Sequence, residues 1–175
     1  PLTGGKVYKC LAIFTIELIN MMNKENITVL VIGLDNLKFA FPVKMVDSII
    51  MAQEVTPGDN TKSFICGIIN LRGEIIPVIS LRRRFSLPDR DILSENFFTI
   101  LAFKHLKIAI IADMIFVVDS VKKGSIRTYK EIIPGMSELE FYSDSEGIYY
   151  IYNTENLLSQ AEEEEVRKMI VEDVK

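Results

Sequence analysis

Two apolar, β-branched runs separated by a single polar corner constrain this chain more than any other feature. The runs, Phe64 to Leu71 and Ile75 to Leu81, are each of strand length, and Asn70, Arg72 and Gly73 interrupt them with turn chemistry. Gly73 accommodates the positive φ that such a corner often needs, and Asn70 is able to bond the local backbone. Arg72 then projects outward between two buried strands. Pro77 lies inside the second run without an N–H to give a neighbour, so one side of that strand is expected to be an edge or bulge that needs cover, for instance by another protein.

The remainder reads as β structure around this unit. Thr28 to Leu34, Asp35-Asn36 and Leu37 to Val43 form a hairpin signal, Val46 to Val55 continues it, and Thr56 to Asn60 is a loop. Asp89 to Glu95 is a polar connection before strands at Asn96 to Phe103 and Ile108 to Ala112, which flank the turn Lys104-His105-Leu106-Lys107. Asp113 to Val118 is apolar apart from its aspartate, Lys122-Lys123-Gly124 is a turn, Ile132-Ile133-Pro134-Gly135 ends an exposed stretch, and Ile148 to Tyr152 is the last strand. Asn153 or Thr154 is placed to cap a helix with Leu157, Leu158, Ala161, Met169 and Ile170 on its apolar face. Short strands at spacings of roughly 8 to 12 residues predict an all-β domain, either a sandwich or two small barrels sharing a hydrophobic seam.

At 175 residues and 49% hydrophobic, the chain suits one domain or two subdomains on a common core, and its net charge of −4 argues against an overall nucleic-acid footprint. We divide it into an N-terminal extension (1–26), a domain of two intertwined β subdomains (27–160) and the end of an acidic C-terminal helix (161–175). Cys10 and Cys66 form no metal or disulfide pattern, which fits a reducing compartment, and the apolar run Val7 to Ile19 is short for a bilayer span and broken by Lys9 and Glu17. Catalytic chemistry finds little support. His105 reads as a solvated turn residue, Cys66 as a buried small hydrophobe, and Glu162 to Glu165 as a solvated helical face, while no phosphate-binding glycine motif occurs. In Arg82-Arg83-Arg84, two of the three are expected to be solvated, with an acidic partner or an RNA backbone as the functional alternatives. For Arg72, partner docking and a structural salt bridge are equally open.

The stretch Gly67-Ile68-Ile69-Asn70-Leu71-Arg72-Gly73-Glu74-Ile75-Ile76-Pro77-Val78-Ile79-Ser80-Leu81-Arg82 resembles the signature of the CheW family of chemotaxis coupling proteins. The similarity runs from about Thr28 to Leu158 and takes in Phe64-Ile65-Cys66-Gly67, Asp113-Met114-Ile115 with Val118, Ser125-Ile126-Arg127, and Ile151-Tyr152-Asn153 leading into Leu157-Leu158. It implies two five-stranded SH3-like barrels sharing a hydrophobic core with a C-terminal helix, no enzymatic activity and no cofactor. It also implies a cytoplasmic scaffold, recruited to membrane-associated receptor arrays, that joins the signalling tips of chemoreceptors to the regulatory domain of the histidine kinase CheA, without nucleic acid or membrane insertion. By the same resemblance Arg72, Val46, Ser48, Phe97, Ile115 and Val118 serve receptor binding, and Ile132 and Arg127 kinase binding. Such a role needs two exposed apolar patches, for which the Pro77 edge with Arg72 and the loop at Ile132 to Gly135 are the candidates.

The sequence departs from the family at Ser48, where a glutamate is usual and Asp47 is the nearest substitute, at Ser80 in place of an aspartate, and at Asn153, also in place of an aspartate. Alternatives are a CheW-like docking module of a larger adaptor or kinase and, from another class, an RNA-binding barrel using Arg82 to Arg84.

Overall fold

The computed structural model describes residues 26–57, 64–103, 105–116, 119–133, 136–152 and 157–172. Two sheets dominate. The hairpin β1 (Asn26–Leu34) and β2 (Leu37–Pro42) starts the first, and β3 (Val46–Met51), β4 (Ile65–Leu71) and β5 (Glu74–Ile79) pass into the second. A one-turn helix α1 (Leu81–Arg84) precedes β6 (Phe97–Phe103) and β7 (Leu106–Ala112), which complete the second sheet. The chain then returns to the first through β8 (Met114–Ile115), β9 (Asp119–Lys122), β10 (Arg127–Ile133), β11 (Met136–Asp144) and β12 (Gly147–Ile151), and ends in α2 (Gln160–Glu172).

The first sheet runs β10-β11-β12-β2-β1-β8, with β9 also on β1. β8 and β9 occupy successive stretches of one edge, Ile115 opposite Ile32 and Asp119 opposite Val29. A parallel pairing of β12 with β2, Tyr150 opposite Phe39, lays the end of the β region beside its beginning. The second sheet runs β3-β6-β7-β5-β4. Beyond β3, Thr56 and Ile68 exchange two backbone hydrogen bonds of 2.9 Å each, joining the chain back to β4 and closing this sheet into a barrel.

Strand alternation sorts the apolar residues into three layers. On β7, Ile108, Ile110 and Ala112 enter the seam between the sheets, and Ala109 and Ile111 enter the second barrel. On β1, Leu30, Ile32 and Leu34 face the same seam, while Val29 and Val31 pack with Val121, Tyr149 and Ile151 inside the first unit. This is the expected all-β arrangement of SH3-like units about a shared core, with α2 at the C-terminal end.

Several local expectations are corrected. Pro77 is buried opposite Ile68, and the parallel ladder of β5 with β7 begins at the next residue, Val78 opposite Ala109. β5 is therefore an inner strand, and Pro77 offers no open edge to a partner. The second run ends before Leu81, because the Ser80 hydroxyl accepts the Arg83 N–H at 3.3 Å and starts α1. Asn26, assigned to the extension, already pairs with Lys122.

Helix α2 begins with a capping box. The Ser159 hydroxyl accepts the Glu162 N–H at 3.4 Å, and the Glu162 carboxylate accepts the Ser159 N–H at 2.7 Å. Asn153 and Thr154, the expected caps, lie outside the described residues. Glu162 is buried instead of solvated, and its carboxylate also takes a 3.2 Å contact from Arg84, whose guanidinium lies 4.8 Å from the centre of the Phe64 ring. Of the three arginines, Arg82 and Arg84 are thus enclosed and only Arg83 is exposed, the reverse of the expected ratio. That removes the basic surface on which RNA binding rested. We expect Ser159→Ala to cost about 1 kcal/mol and lower the melting temperature by roughly 2–4 °C in a thermal scan.

Candidate functional site

The corner between β4 and β5 is a two-residue turn in which both central residues have positive φ, +58° at Arg72 and +89° at Gly73, as in type I′ hairpins. The Asn70 side chain accepts the Gly73 N–H at 2.8 Å, and the Gln53 amide donates to the Asn70 carbonyl at 3.3 Å. Holding a branched-out arginine in the left-handed region costs about 1 kcal/mol, which the flanking strands supply. Arg72 is exposed, and no carboxylate among the described residues pairs with it. The structural salt bridge that the sequence left open is not found there.

Close to this turn the second barrel carries a bridge not anticipated from sequence. Lys107 on β7 reaches Glu74 on β5 at 2.9 Å and Asp47 at the start of β3 at 3.4 Å, and the Glu74 hydrogen bond is the main reason its ammonium is held above the usual lysine range. Asp47 also accepts the Ser48 hydroxyl at 3.1 Å. The carboxylate nearest to Ser48 is therefore shared with Lys107, though it remains exposed.

The other candidate residues fall into distinct places. Val46 is buried in the seam opposite Leu101, so its side chain faces the core; Ser48 is half-buried opposite Ile100. Phe97 on β6 and Ile115 on β8 come from different sheets yet both pack half-buried against the seam. Val46, Phe97 and Ile115 all border the seam, but Val46 and Phe97 stand at opposite ends of the β3–β6 ladder. Val118 lies outside the described residues. Arg127 is exposed at the start of β10 opposite Phe141; Ile132 runs in the same strand with its side chain outside the described residues, as are Pro134 and Gly135. β10 and β8 are the two end strands of the first sheet's path, so Arg127 and Ile132 lie on a different strand from Ile115.

A second ionic cluster fastens the two units together. Arg82, at 4% exposure, contacts Asp35 in the β1–β2 turn at 2.5 Å and Asp113 at the β7–β8 corner, and Arg90 reaches Asp35 at 2.6 Å. The hydrogen bond from Arg82 holds the Asp35 carboxyl below the usual aspartate range. Such a depressed carboxyl contributes stability above its unfolded pKa near ~3.9, and the contribution is lost as pH falls through its lower folded value. Cys66 is half-buried with its thiol pushed up by burial, His105 is exposed, and among the described residues no cluster of three or more His, Cys, Asp or Glu is placed to hold a metal. Among them, too, no helix is long and apolar enough to cross a membrane.

Comparison with known families places residues 28–162 on the CheW-like domain. The chain belongs to the CheW-like family. Among curated relatives, the chemotaxis protein CheW of Bacillus subtilis is 35% identical over 94 residues, 54% of this chain and 60% of that protein. The chemotaxis protein CheW of Treponema pallidum is 29% identical over 119 residues, 66% of this chain and 70% of that protein. The match thus spans less than two thirds of the Bacillus relative. Among solved structures, the scaffolding protein TtCheW of Thermoanaerobacter tengcongensis superposes with a TM-score of 0.64 at 25% identity, over 73% of this chain and 88% of that one. The CheW-like match covers all described strands from β2 to β12 and stops at the capping box of α2.

Proposed function

We propose that this chain is a non-catalytic chemotaxis scaffold that couples the cytoplasmic signalling tips of chemoreceptors to the regulatory domain of the histidine kinase CheA. It would act in the cytoplasm at membrane-associated receptor arrays, through residues 27–160. The observation that carries the reading is Arg72, an exposed cation with no carboxylate partner among the described residues, fixed on a hydrogen-bonded turn of a CheW-like fold. A guanidinium held this way docks with little loss of conformational freedom and forms bidentate bonds to carboxylates. Phe97 and Ile115 supply apolar surface at the seam, Ser48 a polar contact, and Val46 and Val118 are the other residues assigned to the receptor. Arg127 and Ile132 on β10 are assigned to the kinase.

Two separate faces are what coupling requires, since a scaffold transmits state only by binding both partners with different affinity for the kinase's alternatives. The test is a titration of the full chain against a receptor-tip fragment and the CheA regulatory domain. We expect Arg72→Ala to weaken the receptor tip at least about tenfold, leaving CheA binding and the melting temperature unchanged. Equal binding of wild type and variant to the tip would remove Arg72 from the interface.

A further inference from the structure

The connection between α1 and β6 arches over one mouth of the second barrel and leaves a cleft of about 1180 Å³ beneath it. Its floor is apolar, formed by Ala52, Val55, Cys66, Ile92 and Ile111 at the end of the barrel core, and Leu93 stands 51% exposed at the lip. The volume exceeds the roughly 300–1,000 Å³ typical of small-molecule sites, which suits a length of polypeptide.

The arch is pinned at both ends, so the cleft is preformed. The Leu87 N–H donates to the Arg82 carbonyl at 2.8 Å and Arg83 contacts Asp89 at 2.9 Å; at the far end the Asn96 side chain accepts the Leu93 N–H at 2.7 Å and the Asn96 backbone carbonyl accepts the Ala52 N–H at 2.8 Å. The charges in the walls are not balanced. Arg82, Arg83 and Arg90 are each answered by an aspartate, whereas Glu54, Asp91 and Glu95 have no hydrogen-bond or ion-pair partner among the described residues. An apolar floor with a negative rim repels phosphate and favours cations.

We propose that this cleft is a second docking site for an extended segment of a partner protein in which lysine or arginine alternates with apolar side chains. Extended backbone sends successive side chains to opposite sides, so the apolar set would rest on the floor while the basic set meets Glu54, Asp91 and Glu95. None of the candidate receptor or kinase residues lines this cleft, and the proposal stands apart from the coupling role.

The test uses the full chain with Cys10→Ser, which leaves Cys66 as its one thiol. The probe is a short peptide alternating leucine and lysine, with a leucine–glutamate twin as comparison. We expect the lysine peptide to bind at least about tenfold more tightly than its twin and to slow alkylation of Cys66 by iodoacetamide by a similar factor. Combined Glu54→Gln, Asp91→Asn and Glu95→Gln should abolish the preference while receptor-tip binding persists. Equal affinity for the two peptides, absence of binding, unaltered alkylation at saturation, or a preference that survives the triple variant would each overturn the proposal, and none of these bears on Arg72.

Discussion

Gly67→Ala is expected to lose about 3–5 kcal/mol of stability, the largest effect of any single substitution considered. A Cβ built on Gly67 falls 2.1 Å from the Thr56 carbonyl oxygen and 2.9 Å from a Val55 methyl group, and the residue's φ of +144° is one that side chains avoid. Backbone cannot yield as a side-chain tip can, so the methyl group must break the two hydrogen bonds between Thr56 and Ile68 that close the second barrel. Gly73→Ala is the informative comparison. Its φ is also positive, at +89°, yet no atom lies within 4 Å of the added carbon, so only the backbone term of about 1 kcal/mol applies. Urea unfolding of the two variants measures the difference, and similar losses would mean that the Thr56 closure contributes little.

Arg82→Met should destabilise the protein by about 3 kcal/mol, because it leaves Asp35 and Asp113 facing each other across the junction of the two units without their shared cation. The carboxylates retain side-chain exposures of 30% and 23%, and Arg90 remains near both, which keeps the loss at the low end for a broken buried pair. Arg82→Lys should recover only part of it, since one ammonium does not span two carboxylates as a guanidinium fork does. Arg83→Met, removing an exposed pair with Asp89, should change stability by less than about 1 kcal/mol. The variants also differ in acid. Wild type loses the Asp35 contribution as pH falls below the ordinary aspartate range, whereas Arg82→Met has already lost the larger, Arg82-dependent part of it, keeps only what Arg90 provides, and should show a shallower dependence there.

The strands were legible because each half-buried strand writes its two faces into alternate residues, and the hairpins because Asp35-Asn36 and Gly73 are turn residues that accept left-handed backbone, which Asp35 and Gly73 adopt. The same local reading failed for the arginine run. Arg82 meets Asp35 and Asp113 at separations of 47 and 31 residues, and Arg84 meets Glu162 at 78, so nothing beside the run announces its partners. Pro77 misled for a related reason: its missing N–H falls one residue before the β7 ladder starts, a register that only the folded sheet sets. The Ser159–Glu162 box is written in the sequence, but Leu157 and Leu158, buried just before α2, imitate a helical face and draw the expected start upstream. At the candidate site, Arg72 was visible from its turn, while the Lys107 bridge and the acidic cleft arise from residues that only the barrel brings together.

The most direct measurement of the coupling role is a reconstitution in which CheA autophosphorylation is followed with receptor signalling tips, with and without this chain. The account predicts that kinase activity responds to the receptor only when the chain is present, and that Arg72→Ala abolishes the response while CheA still binds. Receptor control of the kinase without the chain, or full control restored by Arg72→Ala, would contradict it.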